Sequence, residues 1–287
     1  MAATSYLASP SATRDVLERH GFYTKHRLGQ NFLVSDSVIM RIVSLAELAA
    51  DDVVLEVGPG IGTLTVALLP RVGRVMAVEA DRTLEPVLAE TCARDSDKLD
   101  IVWGDALRQV PEGLPTPPTK FVSNLPYQVA ATIILQAFET MPSLERAVVM
   151  VQAEVADRIA AHPGTKAYGA YTAKLALWAC VTGRFEVGPG NFMPPPHVDS
   201  AVVRIDRADT GLDAATISAT SRVIDAAFAQ RRKTIRNSMS SQGFDKVALD
   251  AAFEVVGISP TCRAETLAPE DFVRLSAALG EGETRHV

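Results

Sequence analysis

The sequence predicts an α/β protein in which helices cover both faces of a mostly parallel sheet, followed by a small all-helical domain. Short apolar segments alternate with helical patterns from residue 53 to residue 151, turns containing Gly or Asp separate them, and strand-like segments stop after Asp206. The chain has 287 residues, of which 47% are hydrophobic and 22% charged. This composition is typical of a folded protein and excludes a disordered, collagen-like or coiled-coil chain.

The predicted elements follow one another in chain order. Residues 1–12 are small and polar and are predicted to form a flexible terminus. Apolar residues recur at helical spacing over 35–48, where Ser35 or Asp36 can cap the helix. Strands are then predicted at 53–57, 74–78, 99–103, 121–123 and 147–151, and helices at 63–69, 84–92 and 130–138.

After residue 170 the pattern changes. Residues 184–187 and 201–205 are predicted strands that close the sheet as an antiparallel pair, because a loop rich in Gly and Pro separates them. Apolar residues at helical spacing then predict helices at 214–228, 246–256 and 270–279. The sequence therefore predicts a flexible N-terminus over 1–12, an α/β domain over 13–206, a linker over 207–213 and a helical domain over 214–287.

Charge, cysteine content and hydropathy exclude several classes of protein. The net charge of −6 argues against a protein that coats nucleic acid by bulk charge, although a local basic groove stays possible. The three cysteines lie far apart and fit neither a disulfide framework nor a metal site, so a reducing cytoplasm is expected. The five histidines lack ligand spacing, and no metal is expected. We find no signal-peptide pattern and no membrane span.

A glycine-rich turn follows the first strand of the alternating region. Gly58, Gly60 and Gly62 would let the backbone approach a ligand at the carboxyl edge of the sheet, although a tight turn without a ligand is the alternative. Glu79 ends the next strand, 21 residues after Gly58, where a carboxylate can accept hydrogen bonds from both ribose hydroxyls. Asp105 follows the third strand, where its carboxylate could accept a hydrogen bond from the exocyclic amine of an adenine. Three such strand ends in a row predict an adenosine-bearing cofactor.

The tetrapeptide Asn124-Leu125-Pro126-Tyr127 follows the fourth strand. Pro126 fixes its own φ and biases Leu125 away from the helical region, which would present the Asn124 amide oxygen and the Leu125 carbonyl toward the cofactor. Two such acceptors can bind an exocyclic amine and favour its pyramidal, nucleophilic form. Tyr127 can stack on the base that carries the amine, although core packing is the alternative for this ring.

This tetrapeptide resembles the [N/D]-[P/L]-P-[Y/F] motif of S-adenosylmethionine-dependent methyltransferases that act on amino groups. Over nearly the whole chain, the sequence resembles the ribosomal RNA adenine dimethyltransferases, and most closely the bacterial small-subunit enzymes. The matching segments are Leu28-Gly29-Gln30-Asn31-Phe32-Leu33, Glu56-Val57-Gly58-Pro59-Gly60, Ser123-Asn124-Leu125-Pro126-Tyr127, the segment from Phe192 to Val202 and Arg231-Arg232-Lys233-Thr234-Ile235-Arg236-Asn237.

The resemblance implies a Rossmann-like methyltransferase domain with a helical C-terminal domain that contacts RNA. It implies S-adenosylmethionine as the cofactor and in-line methyl transfer to N6 of two adjacent adenosines near the 3′ end of 16S RNA, within an assembling 30S particle. It further implies a monomer. Phe192 resembles an aromatic that stacks on the target adenine opposite Tyr127, although core packing is its alternative. The implied cofactor-binding residues are Asn31, Leu33, Gly58, Gly60, Glu79, Asp105 and Asn124.

Two acid-free basic segments are predicted to bind the RNA backbone, although a solvated helix face is the usual reason for such a run. The first segment, 19–30, contains Lys25 and Arg27, and the second, 228–237, contains Arg231, Arg232, Lys233 and Arg236. At helical spacing, Arg232 and Arg236 would share a face.

Three other functions stay open from the sequence. A large-subunit (23S) RNA methylase of the macrolide-resistance type would share the cofactor loop and the tetrapeptide. A ribosome-assembly or transcription factor could keep the fold without methylating, but the intact tetrapeptide disfavours this. A nicotinamide-dependent dehydrogenase is disfavoured by the G-x-G-x-G spacing of the glycine turn.

Overall fold

A computed structural model describes residues 4–21 and 31–284 of the chain. Its strands are β1 (Phe32–Leu33), β2 (Val53–Val57), β3 (Arg74–Glu79), β4 (Leu99–Trp103), β5 (Lys120–Asn124), β6 (Arg146–Gln152), β7 (Ala179–Val187), β8 (Phe192–Met193) and β9 (Ser200–Arg207). Its α-helices are α1 (Pro10–Arg19), α2 (Asp36–Ala46), α3 (Thr65–Leu68), α4 (Glu85–Thr91), α5 (Ala106–Glu112), α6 (Ala130–Thr140), α7 (Ala153–Ile159), α8 (Ala170–Leu175), α9 (Ala214–Phe228), α10 (Ile235–Ser241), α11 (Lys246–Val256) and α12 (Pro269–Thr284).

Seven strands form one sheet in the order β4-β3-β2-β5-β6-β9-β7. The first five strands of this order pair in parallel, and β9 pairs antiparallel with β6. The predicted mostly parallel sheet is therefore confirmed, and β7 and β9 lie next to each other at its edge, as predicted. The short strands β1 and β8 form a separate antiparallel pair.

The central strands β5 and β6 are buried, which shows that other elements cover both faces of the sheet at this point. All residues of β6 between its two ends are buried, and four of the five residues of β5 are buried as well. Strands that are buried on both faces carry continuous apolar sequences instead of alternating ones, which is how these segments appear in the sequence. The carboxyl ends of the parallel strands β2 to β5 meet at one edge of the sheet.

Residues 4–12 are packed, unlike the flexible terminus predicted for residues 1–12. In the described part of that segment, Leu7 is 1% exposed and Ser9 caps α1 by accepting a hydrogen bond from the Ala12 N–H. The carboxylate of Asp36 accepts hydrogen bonds from the backbone N–H groups of Thr4 and Ser5. One buried apolar side chain and one carboxylate thus hold a segment whose composition is typical of a flexible terminus.

The predicted cap of α2 is confirmed only in its position. Ser35 occupies the N-cap of this helix, but its hydroxyl makes no capping hydrogen bond.

The chain divides into two compact units, and their boundary differs from the predicted one. One unit contains residues 157–180 as well as the C-terminal helices, whereas the sequence placed 13–206 in a single domain with a linker over 207–213. The physical reason is that Tyr168, Ala173 and Leu177 belong to the apolar cluster of the C-terminal helices. The Tyr168 hydroxyl also donates to the Leu267 carbonyl at 2.9 Å. Among the described residues, no helix is long and apolar enough to cross a membrane.

Candidate active site

A cavity opens at the carboxyl ends of β2, β3, β4 and β5, where the sequence placed the cofactor. Its lining brings together side chains and backbone from the glycine turn, two acidic strand ends, the tetrapeptide and the segment around β1. The residues predicted to bind the cofactor or the target that line it are Asn31, Leu33, Gly58, Gly60, Glu79, Asp105, Asn124, Leu125, Pro126 and Tyr127. A site at this edge is expected for parallel sheets, because each strand contributes the loop that follows it.

The glycine turn adopts a backbone conformation that glycine tolerates best. Gly58 and Gly60 have φ of 72° and 61°, in the left-handed region. A Cβ at Gly58 would lie 3.4 Å from the ring of Pro126, and one at Gly60 would lie 3.1 Å from the ring of Phe32. The turn therefore passes close to both the tetrapeptide and β1, and glycine keeps this side of the cavity open.

Glu79 is fixed in orientation at the end of β3. Its side chain accepts hydrogen bonds from the backbone N–H of Asp81 at 2.8 Å and of Gly60 at 3.4 Å. The residue is 8% exposed, and burial raises the pKa of its carboxyl group despite these bonds. Each carboxylate oxygen can accept more than one hydrogen bond, so both keep capacity for a ligand in the cavity.

Asp105 occupies the N-cap of α5. One of its carboxylate oxygens accepts a hydrogen bond from the Leu107 N–H at 3.0 Å, and the residue is exposed at the cavity. Capping holds this carboxylate in place, as the backbone bonds do for Glu79. The two acids predicted for ribose and adenine thus line the same cavity with preset orientations.

The side chain of Asn124 is also oriented by a hydrogen bond. Its Nδ2 donates to the backbone carbonyl of Asn31 at 3.3 Å. Since a carbonyl only accepts, the atom facing it is the amino group, and the amide oxygen is left for a donor in the cavity. The next residue, Leu125, donates its N–H to the Met150 carbonyl at 3.1 Å, which ties the tetrapeptide to β6.

The two aromatic residues predicted to hold the target base are placed differently. Tyr127 lines the cavity, and its hydroxyl lies 2.6 Å from the hydroxyl of Ser200; burial raises the pKa of the phenol, which keeps it protonated at neutral pH. Phe192, in contrast, is 3% exposed, belongs to the apolar core and does not line the cavity. Pairing of β8 with β1 sets Phe192 opposite Leu33, which places its ring among core residues. Its stacking role stays a prediction that this placement does not support.

Two buried polar residues of the cavity were missed by the sequence prediction. Glu56 is 1% exposed and accepts a hydrogen bond from the Thr65 hydroxyl at 2.7 Å; burial raises its pKa to about 8, so the side chain is neutral at pH 7. Thr63 is 5% exposed, and its buried hydroxyl has no hydrogen-bond partner in the described part of the chain. An acid inside an apolar strand was the available signal for Glu56, whereas a threonine after a glycine turn gives no signal.

The predicted basic surface is partly neutralised. Arg231 pairs with Glu265 at 3.0 Å and Arg236 with Asp250 at 2.6 Å. Arg232 and Lys233 are exposed and form no ion pair within residues 4–21 and 31–284. The predicted shared helix face of Arg232 and Arg236 is wrong, because α9 ends at residue 228 and α10 begins at residue 235.

The other predicted RNA-contacting residues, Lys25 and Arg27, lie outside the described residues. Within the described ones, no group of three or more His, Cys, Asp and Glu side chains could hold a metal ion.

The fold and the cavity define a Rossmann-like methyltransferase. The family model described as ribosomal RNA adenine dimethylase matches residues 21–281. The chain belongs to the ribosomal RNA adenine dimethylase family.

Individual relatives agree with this membership. The ribosomal RNA small subunit methyltransferase A of Thermobifida fusca is 44% identical over 279 residues, which cover 96% of each chain. The crystal structure of a dimethyladenosine transferase from Plasmodium falciparum has the same fold, with a TM-score of 0.77, 24% identity and coverage of 88% of this chain and 98% of that one. The crystal structure of the 23S rRNA methyltransferase ErmE has a TM-score of 0.66 at 28% identity, covering 87% of this chain and 100% of that chain.

Replacing Glu79 with alanine should weaken binding of S-adenosylhomocysteine at least about 100-fold, because hydrogen bonds to a charged group contribute about 1.5–3 kcal/mol each and the carboxylate can accept two from a ribose. Isothermal titration calorimetry measures this directly. The control is Asp97→Ala, which removes an exposed acid outside the cavity lining and should leave the affinity unchanged. Equal affinities of the Glu79 variant and the unmodified protein would contradict the assigned role.

Proposed function

We propose that this protein transfers methyl groups from S-adenosylmethionine to N6 of two adjacent adenosines near the 3′ end of small-subunit ribosomal RNA. The observation that carries the proposal is the position of Asn124, whose amide oxygen remains available in a cavity that also contains two oriented carboxylates. The proposal includes action on an assembling 30S particle, as a monomer, in the cytoplasm.

The residues of the cavity fit S-adenosylmethionine. Glu79 and Asp105 would hold the ribose and the adenine, and Gly58 and Gly60 leave room for the backbone to approach the methionine part. The unpartnered hydroxyl of Thr63 is a buried polar group that a polar ligand would satisfy. When bound, the cofactor supplies an activated methyl group on a sulfonium sulfur.

The chain's own residues would position the target amine. The Asn124 oxygen and the Leu125 carbonyl would accept the two N6 hydrogens, orienting the nitrogen for in-line attack. Neutral acceptors suit a nitrogen that is transiently cationic after it gains the methyl group and before it releases one proton to water, because they stabilise the developing charge without an ion that would need desolvation. The Tyr127 ring would stack on the adenine after the base leaves its helix. Positioning and electrostatics then account for the catalysis, without a covalent intermediate on the protein.

The small-subunit target is favoured over a large-subunit target. The relative at 44% identity carries the name of a small-subunit methyltransferase, whereas the large-subunit enzyme ErmE is 28% identical. A non-catalytic assembly factor is disfavoured because the tetrapeptide and the cofactor loop are intact and assembled in one cavity.

The decisive experiment supplies labelled S-adenosylmethionine to three substrates in parallel: immature small subunits, protein-free small-subunit RNA and protein-free large-subunit RNA. We expect dimethyladenosine, identified by mass, on the immature small subunits. Label only on large-subunit RNA would move the assignment to the macrolide-resistance type. Bound cofactor with no label on any RNA would favour the assembly-factor interpretation.

We expect Arg232 and Lys233, the cations of segment 228–237 that form no ion pair among the described residues, to make the electrostatic contribution of this segment to RNA binding. Replacing both Arg232 and Lys233 with alanine should lower the slope of log affinity against log salt by about 2, since each lost phosphate contact removes about one unit. Replacing Arg236 should change the slope less, because Asp250 already neutralises it. A salt titration of binding to immature small subunits measures these slopes, and an unchanged slope in the double variant would refute the assignment.

A further inference from the structure

The hydroxyl of Tyr127 is held by a strand that the tetrapeptide does not belong to. Its oxygen lies 2.6 Å from Oγ of Ser200, the first residue of β9. In the sheet, Ser200 is paired with Gln152 of β6. Since Leu125 donates its N–H to the Met150 carbonyl, the backbone of the tetrapeptide is bound to β6 and its aromatic side chain to β9. The catalytic segment is thus fixed at two points on neighbouring strands.

Ser200 itself is 0% exposed and does not line the cavity. A buried hydroxyl requires a hydrogen-bond partner, and in the described part of the chain the Tyr127 hydroxyl is the one it has. The tyrosine ring is placed by χ1, and a hydrogen bond at its far end restrains this torsion, because a change in χ1 would move the hydroxyl away from its partner. The ring that Ser200 holds is therefore the direct connection between this serine and a ligand in the cavity.

We propose that Ser200 is a positioning residue for Tyr127, which fixes where the ring lies so that it can receive the target adenine. This inference rests on the proposed function, because it concerns the methyl transfer to adenine described above. The inference also gives a role to the Pro-rich segment that precedes β9. The last residue of this segment, Asp199, accepts a hydrogen bond through its carbonyl from the Ala153 N–H at 2.9 Å. This bond helps to place the following residue, Ser200, with its hydroxyl next to the tetrapeptide.

The first variant is Ser200→Ala, which removes the hydroxyl that holds the ring and leaves the tyrosine side chain itself unchanged. We expect kcat for methyl transfer to immature small subunits to fall between about 10-fold and 100-fold, the range that follows from a small misplacement of a reacting group. The affinity for S-adenosylhomocysteine should stay within about twofold, since Ser200 does not line the cavity. The half-buried Tyr127 hydroxyl can hydrate in the variant, so the protein should fold.

The second variant, Tyr127→Phe, separates positioning from a structural role. In this background the Ser200→Ala substitution should cause no further loss of kcat, because the bond through which Ser200 acts is already absent. A serine that merely stabilised β9 would lower activity by the same factor in both backgrounds. The control is Ser143→Ala, which removes a hydroxyl that donates to the Pro118 carbonyl. Both residues lie before the amino ends of their strands, away from the cavity, so this variant should leave kcat unchanged.

These outcomes distinguish the two proposals. An unmodified protein that labels no RNA overturns the proposed function and this inference with it. An active unmodified protein whose Ser200→Ala variant has the same kcat overturns the inference alone. Additive losses in the double variant overturn it as well. A loss in the single variant that disappears in the Tyr127→Phe background supports it.

Discussion

Replacing Asn124 with alanine should reduce methyl transfer by about 10²–10³-fold, the loss measured when one preorganised polar group is removed from a charge-stabilising site. The reason lies in the orientation of the amide. Because Nδ2 donates to the Asn31 carbonyl, the oxygen is preset toward the cavity, and its removal leaves the target amine with one acceptor fewer. Single-turnover kinetics with labelled S-adenosylmethionine and immature small subunits measure the chemical step directly.

Asn124→Asp tests the same geometry more finely. A carboxylate keeps acceptor atoms, but it has no N–H for the Asn31 carbonyl, and its charge would face that carbonyl oxygen. We expect it to be almost as impaired as alanine. The matched control is Asn191→Ala, since the Asn191 side chain also donates to a main-chain carbonyl, at 2.9 Å, but lies outside the cavity lining. Retained activity of both Asn124 variants would contradict the assigned role of this amide.

The strand ends were predictable because they depend on local patterns. Continuous apolar segments predict buried parallel strands, and such strands place their following residues at one edge of the sheet. From the sequence alone, this reasoning is sufficient to place Gly58, Glu79, Asp105 and Asn124 in one cavity. The preset orientation of each side chain is a separate matter, since it comes from backbone groups that the sequence does not place.

What the sequence did not predict depends on contacts between distant residues. The segment 228–237 contains no acid, yet Asp250 and Glu265 approach it from other elements and pair with two of its four cations. Likewise, the motif around Phe192 indicates a functional aromatic, but strand pairing buries the ring. The bond between Tyr127 and Ser200 joins residues 73 positions apart, and no local pattern indicates it.

Replacing Glu56 with glutamine should stabilise the cofactor-free protein at alkaline pH and change little at pH 5. Burial raises the pKa of this carboxyl group from 4.5 to about 8 in the folded protein. Between these two values the folded protein keeps a proton that the unfolded chain releases. The free energy of unfolding therefore decreases as the pH rises through this window, and the stabilising contribution is complete only below the pKa of the unfolded chain.

The size of this effect follows from the two pKa values. The difference between 4.5 and about 8 corresponds to roughly 5 kcal/mol at about 1.4 kcal/mol per pH unit, and relaxation of the folded protein will reduce it. Glutamine has nearly the same shape, stays neutral at every pH and can accept the hydrogen bond from Thr65, so it removes this dependence. We expect the variant and the unmodified protein to unfold at similar urea concentrations at pH 5, and the variant to be more resistant by a few kcal/mol at pH 8.5.

Urea denaturation at pH 5, 6.5 and 8.5 isolates the contribution of Glu56, because ionisable groups that do not interact with it affect both proteins equally and cancel in the difference. Glu90→Gln provides the opposite case, since hydrogen bonds from Arg19 and His20 lower the pKa of that exposed carboxyl. The Glu90 variant should gain no stability over the unmodified protein at alkaline pH. The Glu56 variant and the unmodified protein could instead differ in free energy of unfolding by the same amount at all three pH values. The Glu56 carboxyl group would then be ionised in the folded protein. The strand end beneath the glycine turn would then contain a buried charge, and the cavity would be anionic on that side.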